Sequence, residues 1–186
     1  GAVSTTFIAG VQLVNKGLGM PIGSLTQLAR IRLGRRSQPK HPLIKEFVPL
    51  ASLKDIVFGG WDIYQDNCYE TALKAGVLTK EMLDPIQKEL ASIRPWPAVF
   101  DPKFVKNIQG PNLKKAQHKM EYAEMLMEDM SRFKKENGLD RMVMCWCGST
   151  EVFQANVPKN IFESVEALES ALKNNSELDF SKIFIL

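Results

Sequence analysis

Phe7, Val11 and Val14 fall at i, i+4 and i+7, with Ile8 beside them, and this spacing predicts an amphipathic helix over residues 4–17. Ser4, Thr5 and Thr6 stand where N-cap oxygens would be, and Gly17, Gly19 and Pro21 stop the helix. In GSLTQLARIRLG, Leu25, Leu28 and Ile31 recur every three residues, so this segment is a helix or an irregular excursion ending at Gly34. RRSQPKHP at 35–42 is polar with two prolines and reads as a loop. Asp55 to Phe58 is a short apolar run ending in Gly59-Gly60, the pattern of a strand leading into a tight backbone passage. Helical segments follow at Asn67–Ala75 and Lys80–Ile93, the second interrupted at Asp84-Pro85. RPWPAVFDPKF, with three prolines, is extended or looped. The longest helix is expected at about 112–137, with Ala116, Met120, Ala123, Met127 and Met130 as its buried face and Asn137-Gly138 as its stop. The apolar run Arg141–Cys147 reads as a strand buried on both faces. Residues 163–173 form a last helix, and KIFIL opens a further element.

This alternation of helices and strands, each strand running into small polar residues, predicts an α/β fold with a mainly parallel sheet. Ligands of such sheets collect at the carboxyl ends of strands. Three segments meet that condition: Gly1 to Thr5, Gly59 to Asp62, and Cys147 to Glu151. Small residues at a helix N-terminus leave backbone N–H groups and the helix dipole to meet an anion such as pyrophosphate. Asp62 follows a strand and two glycines, where an acid accepts from ribose hydroxyls or serves as a cap or turn residue. Gly148, Ser149 and Thr150 line a strand end or cap the next helix.

Composition narrows the class. Apolar residues at 45% and charged residues at 24% are those of a globular chain, neither disordered nor fibrous. No apolar run approaches the roughly 20 residues of a bilayer span, and the start lacks the basic region of a secretory signal, so a cytoplasmic protein is expected. Three cysteines are no disulfide framework; Cys145 and Cys147 lack further ligands at metal-site spacing, and buried reduced thiols are expected. His41 and His118 accompany no nucleophile motif and are read as surface residues. The net charge of +3 does not imply nucleic acid. The local cluster Arg30, Arg32, Arg35, Arg36 and Lys40 reads as an anion site or a solvated subunit-contact face.

Six segments resemble the inositol-3-phosphate synthase family, in its bacterial type: GAVSTTFIAGV, PIGSLTQLARIRLG, HPLIKEFVPL, DIVFGGWDIYQDN, RPWPAVFDPKFV and DRMVMCWCGSTEVF. They stand in the family's order over most of residues 1–153, and the GSLTQ and FGGWDI blocks separate the chain from generic dinucleotide-dependent oxidoreductases. The resemblance implies a single Rossmann-like, doubly wound domain over 1–186, beginning inside its dinucleotide loop with the first strand missing and lacking a downstream catalytic and oligomerisation half. It implies NAD as cofactor and D-glucose 6-phosphate as the substrate of the complete enzyme. The product is 1D-myo-inositol 3-phosphate, formed by internal oxidation, aldol-type cyclisation and reduction for inositol and phospholipid biosynthesis. It also implies a homo-oligomer; no nucleic-acid or membrane partner is expected, and no residue is assigned to a metal. Carried over by residue, Gly1, Ala2, Val3, Ser4 and Thr5 lie on the pyrophosphate and Asp62 holds the adenosine ribose. Gly148, Ser149 and Thr150 line the nicotinamide side, and Arg94 to Asp101 approach the adenine. No catalytic residue is assigned, and the fragment alone is expected to be inactive. The alternative reading is a non-catalytic nucleotide-binding or assembly module derived from the family.

Overall fold

A computed structural model describes residues 1–38, 40–102, 105, 107–147 and 159–176. They form two compact units: Gly1–Phe58 with Asp66–Ile93, and Gly59–Gln65 with the described residues from Arg94 onward.

The first unit is helical. Helix α1 (Ala2–Asn15) starts two residues before the expected position, its ladder opening with the Thr5 N–H donating to the Gly1 carbonyl at 3.1 Å. Ser4, Thr5 and Thr6 therefore lie inside the first turn and do not cap it. Their hydroxyls donate back to the carbonyls of Gly1 and Ala2 at 2.7–3.2 Å. The face turned inward also differs: Thr5, Ala9 and Val11 are buried, while Phe7 is exposed and meets Phe58 edge-on with ring centroids 6.0 Å apart.

After one helical turn, α2 (Leu25–Leu28), the chain becomes an antiparallel ribbon in which Leu33 and Lys40 exchange backbone hydrogen bonds, ending at α3 (Ile44–Phe47). Segment 23–34 is thus partly helical turn and partly excursion. Gly34, with φ +84°, supplies a left-handed turn that only glycine adopts without strain. The expected strand at 55–58 is absent. Leu53–Asp55 is a 3-10 turn capped by the Ser52 hydroxyl, and the residues after it show no ladder.

Helix α4 (Cys68–Ala75) begins where expected, because Asn67 and Glu70 cap each other: Asn67 Oδ1 accepts the Glu70 N–H at 3.0 Å and Glu70 Oε2 accepts the Asn67 N–H at 2.9 Å. Helices α5 (Lys80–Leu83) and α6 (Gln87–Ala91) are separated by a 3-10 turn at Asp84–Ile86, where the Asp84-Pro85 pair forecast a break. Ala9, Cys68, Tyr69, Ala72, Leu83, Ile86 and Leu90 form the core. Burial pushes the Cys68 thiol up to about 11, so that thiol is packing material rather than a nucleophile.

In the second unit, β1 (Trp61–Asp62) pairs parallel with β2 (Trp96–Pro97), placing Trp61 opposite Trp96 and Asp62 opposite Pro97. A parallel bridge between Ala98 and Leu113 continues this edge. Helix α7 spans Lys119–Glu136 and α8 spans Val165–Lys173, and Ala171 and Leu172 of α8 are buried among Met120, Tyr122, Ala123 and Leu168.

The structure corrects three expectations here. Helix α7 starts at 119 rather than 112, because the preceding segment is used in pairing: the Asn112 carbonyl accepts the Ala98 N–H at 3.0 Å, and the Lys114 N–H donates to the Ala98 carbonyl at 2.9 Å. Its buried residues are Leu126 and Asp129, whereas Met127 is half exposed. The run 141–147 is no buried strand: it is exposed and without ladder, and the thiols of Cys145 and Cys147 are exposed with it.

Candidate functional site

The five residues from Gly1 to Thr5 share the first turn of α1. A helix of this length leaves the N–H groups of its first residues without intrahelical acceptors, here those of Ala2, Val3 and Ser4. No acidic side chain lies in that turn, and the space beside the Gly1 Cα is open. The hydroxyls of Thr5 and Thr6 are directed at carbonyls, so the donors this turn presents are backbone ones. That donor set fits a pyrophosphate: neutral in side-chain charge, with a positive dipole end and no bulk in the approach.

Asp62 closes β1. Its Oδ1 accepts the Tyr64 N–H at 3.1 Å, and its backbone carbonyl accepts the side-chain amide of Asn112 at 2.9 Å. Asn112 is buried; its amide also reaches the Tyr64 carbonyl at 3.4 Å, and its backbone N–H donates to the Ile63 carbonyl at 2.9 Å. On the other side of Asp62, the Trp61 indole N–H donates to Asp129 Oδ2 at 2.8 Å. Trp96 stands edge-on to both Trp61 and Phe133, at 5.4 and 5.2 Å between centroids. Gly59 passes so close to this aromatic set that a Cβ there would lie 2.8 Å from the Trp96 ring, which explains the glycine before the strand.

Asp129 is the anchor of the unit. Its side chain is 6% exposed and takes Lys114 Nζ at 2.6 Å, the Trp61 indole, and Arg132 at 2.5 Å. Burial alone would push this carboxyl up, but the bonds from Lys114, Trp61 and Arg132 outweigh it and hold the group below the usual carboxylate range.

Of the residues singled out from the sequence, Gly1–Thr5 belong to the first unit and Asp62 to the second, and each is described within its own. Gly148, Ser149 and Thr150 lie outside the described residues. His41 and His118 are exposed. Among the described residues no group of three or more His, Cys, Asp or Glu could hold a metal ion, and no helix is long and apolar enough to cross a membrane. Asn112, Lys114 and Asp129 escaped the sequence reading. The signal that could have found them is a second stripe on α7, Tyr122, Leu126, Asp129 and Phe133, at i, i+4, i+7 and i+11, whose one charged member demands a buried partner.

Comparison with known proteins decides the family. A family model described as Myo-inositol-1-phosphate synthase, whose domain is NAD-binding, matches residues 1–186. The chain belongs to the myo-inositol-1-phosphate synthase family. NAD is the cofactor for which this family's domain is named. Inositol-3-phosphate synthase 1 of Bacteroides thetaiotaomicron is 44% identical over 176 residues, covering 95% of this chain and 40% of that protein. Isozyme 1 of the synthase of Arabidopsis thaliana is 31% identical over 171 residues, covering 88% of this chain and 33% of the relative. The chain thus spans 40% or less of the length of these synthases. The crystal structure of the Caenorhabditis elegans inositol-3-phosphate synthase shares the fold, with a TM-score of 0.81 at 24% identity, over 95% of this chain and 38% of that one. The relatives of this synthase-family chain are enzymes by name, and the chain corresponds to their NAD-binding part.

Proposed function

We propose that this chain is the NAD-binding part of an enzyme that isomerises D-glucose 6-phosphate to 1D-myo-inositol 3-phosphate. In this reading it belongs to one Rossmann-like, doubly wound domain and works in a cytoplasmic homo-oligomer. Bound NAD supplies a hydride acceptor that later returns the hydride, which makes the net reaction an isomerisation. The N–H groups of Ala2, Val3 and Ser4 meet the pyrophosphate, and Gly1 gives it room. Asp62 accepts from the adenosine ribose hydroxyls. Gly148, Ser149 and Thr150 flank the nicotinamide side. The role of this chain is to bind and orient the cofactor, and none of its residues is assigned a proton transfer.

The observation that carries this reading is the held aspartate: Asp62 ends a parallel strand with its backbone fixed by a buried amide, the arrangement a ribose-binding acid needs. The test is an assay of the full-length protein with glucose 6-phosphate. Inositol 3-phosphate is expected to form only with NAD present and without net NADH. Asp62→Ala is expected to raise KM for NAD about tenfold, the loss of one charge-assisted hydrogen bond, with kcat changed much less. NADH accumulating in step with product, or an unchanged KM in the variant, would contradict the proposal.

A further inference from the structure

The Asn112 side chain ties the backbone of the Asp62–Tyr64 span to a neighbouring strand edge. Its amide nitrogen donates to the carbonyls of Asp62 and Tyr64, at 2.9 and 3.4 Å. Its main chain completes the link: the N–H goes to the Ile63 carbonyl at 2.9 Å, and its own carbonyl receives the Ala98 N–H at 3.0 Å. Asn112 is 8% exposed, so these bonds stand in a dry setting where an unmet carbonyl is costly. The approach is close because Gly110 has no side chain: a Cβ there would fall 2.2 Å from the Ile63 carbonyl oxygen.

This geometry bears on direction rather than mere cohesion. The chain bends at Ile63 and Tyr64 just after β1, and Asn112 takes three successive carbonyls there: those of Asp62 and Tyr64 with its amide and that of Ile63 with its own N–H. The Tyr64 N–H that donates to the Asp62 carboxylate lies in the same gripped stretch. Both the carboxylate's carrier and its internal donor are therefore held by one amide. We infer that Asn112 is a positioning residue for the ribose-binding acid, fixing the carboxylate of Asp62 where it accepts the adenosine 2′-hydroxyl of NAD. This inference rests on the ribose reading of Asp62 proposed above.

The experiment separates the two. Kd is measured by titration of the full-length protein with NAD and with its analogue lacking the adenosine 2′-hydroxyl, for wild type, Asp62→Asn, Asn112→Ala and Asn112→Thr, which keeps a similar volume without the amide. Wild type is expected to prefer NAD about tenfold, the worth of a hydrogen bond to a charged acceptor. In Asp62→Asn that preference is expected to shrink severalfold; if it persists, the ribose reading fails. In Asn112→Ala or Asn112→Thr, NAD affinity is expected to fall about five- to tenfold while affinity for the analogue stays within twofold. Equal weakening for both ligands in whichever variant folds would show a purely structural residue and overturn the inference. If neither variant folds, the role of Asn112 is scaffold-wide and the inference is likewise overturned.

Discussion

Asp129→Ala is expected to destabilise the protein by about 3–5 kcal/mol, the cost of breaking a buried ion pair from one side. The magnitude follows from what the substitution leaves behind. Lys114 is only 10% exposed and would be left buried without its partner at 2.6 Å. The Trp61 indole N–H would lose its acceptor. Arg132 contributes little to the loss, since about half of its side chain is in solvent and can stay hydrated. The pairing partner decides the interpretation: in the double variant Asp129→Leu with Lys114→Met, both charges go together, and most of the loss is expected to be recovered. Urea unfolding of the single and double variants, followed by tryptophan fluorescence because Trp61 and Trp96 report on this region, reads the difference. A double variant as unstable as Asp129→Ala would show that the loss comes from packing rather than from an orphaned charge. The same carboxylate gives a pH signature. Its bonds from Lys114, Trp61 and Arg132 lower its folded value below the ordinary one near 4, so its stabilisation is complete above that range. It is lost as pH falls through the lowered value, and wild type should lose more stability on acidification than the double variant.

Gly110→Ala is the second large effect expected. A Cβ at this position would lie 2.2 Å from the Ile63 carbonyl oxygen, 2.7 Å from its carbon and 2.9 Å from the Ile63 Cβ. These are backbone or near-backbone atoms, so no rotamer change relieves the clash and a strand edge must move. Overpacking of this kind costs about 1–3 kcal/mol or more. Gly10→Ala is the matched control: it sits within α1 with nothing within 4 Å of its added Cβ, and is expected to be neutral or stabilising by up to about 1 kcal/mol. Because Ile63 follows Asp62, Gly110→Ala should also weaken NAD binding, whereas a variant that merely lowers stability elsewhere should not. Thermal unfolding and NAD titration on the same preparations check both parts.

What could be read in advance divides by range. Helix α4 was legible because its cap, Asn67 with Glu70, is complete within four residues, and the break at Asp84–Ile86 because proline acts on its own turn. The site's geometry was not legible, since Trp61 reaches Asp129 across 68 positions and Asn112 reaches Asp62 across 50. Bonds of the same long range explain the misplaced start of α7: residues 112–114 give their backbone to Ala98 and Ile63. The methionine stripe was only partly right for a related reason: Met120 and Ala123 pack against Ala171 and Leu172, but Met127 is half exposed. A buried charge, Asp129, hides the true inward face from any count of apolar residues. At α1 the three hydroxyls suggested a cap, but side chains of Ser and Thr bond equally well to carbonyls a turn earlier, and here they do. The family resemblance rested on blocks such as FGGWDI, whose members the structure explains separately: a glycine against an aromatic cluster, a tryptophan bound to Asp129, and an aspartate held by Asn112.

The central claim is that this chain carries a cofactor site. Calorimetric titration of NAD into the protein tests it most directly. Saturable binding of one NAD per chain is expected, with Kd below about 1 mM, roughly −4 kcal/mol or better. A titration without saturable heat, from protein whose folded state is established by its unfolding transition, would contradict it.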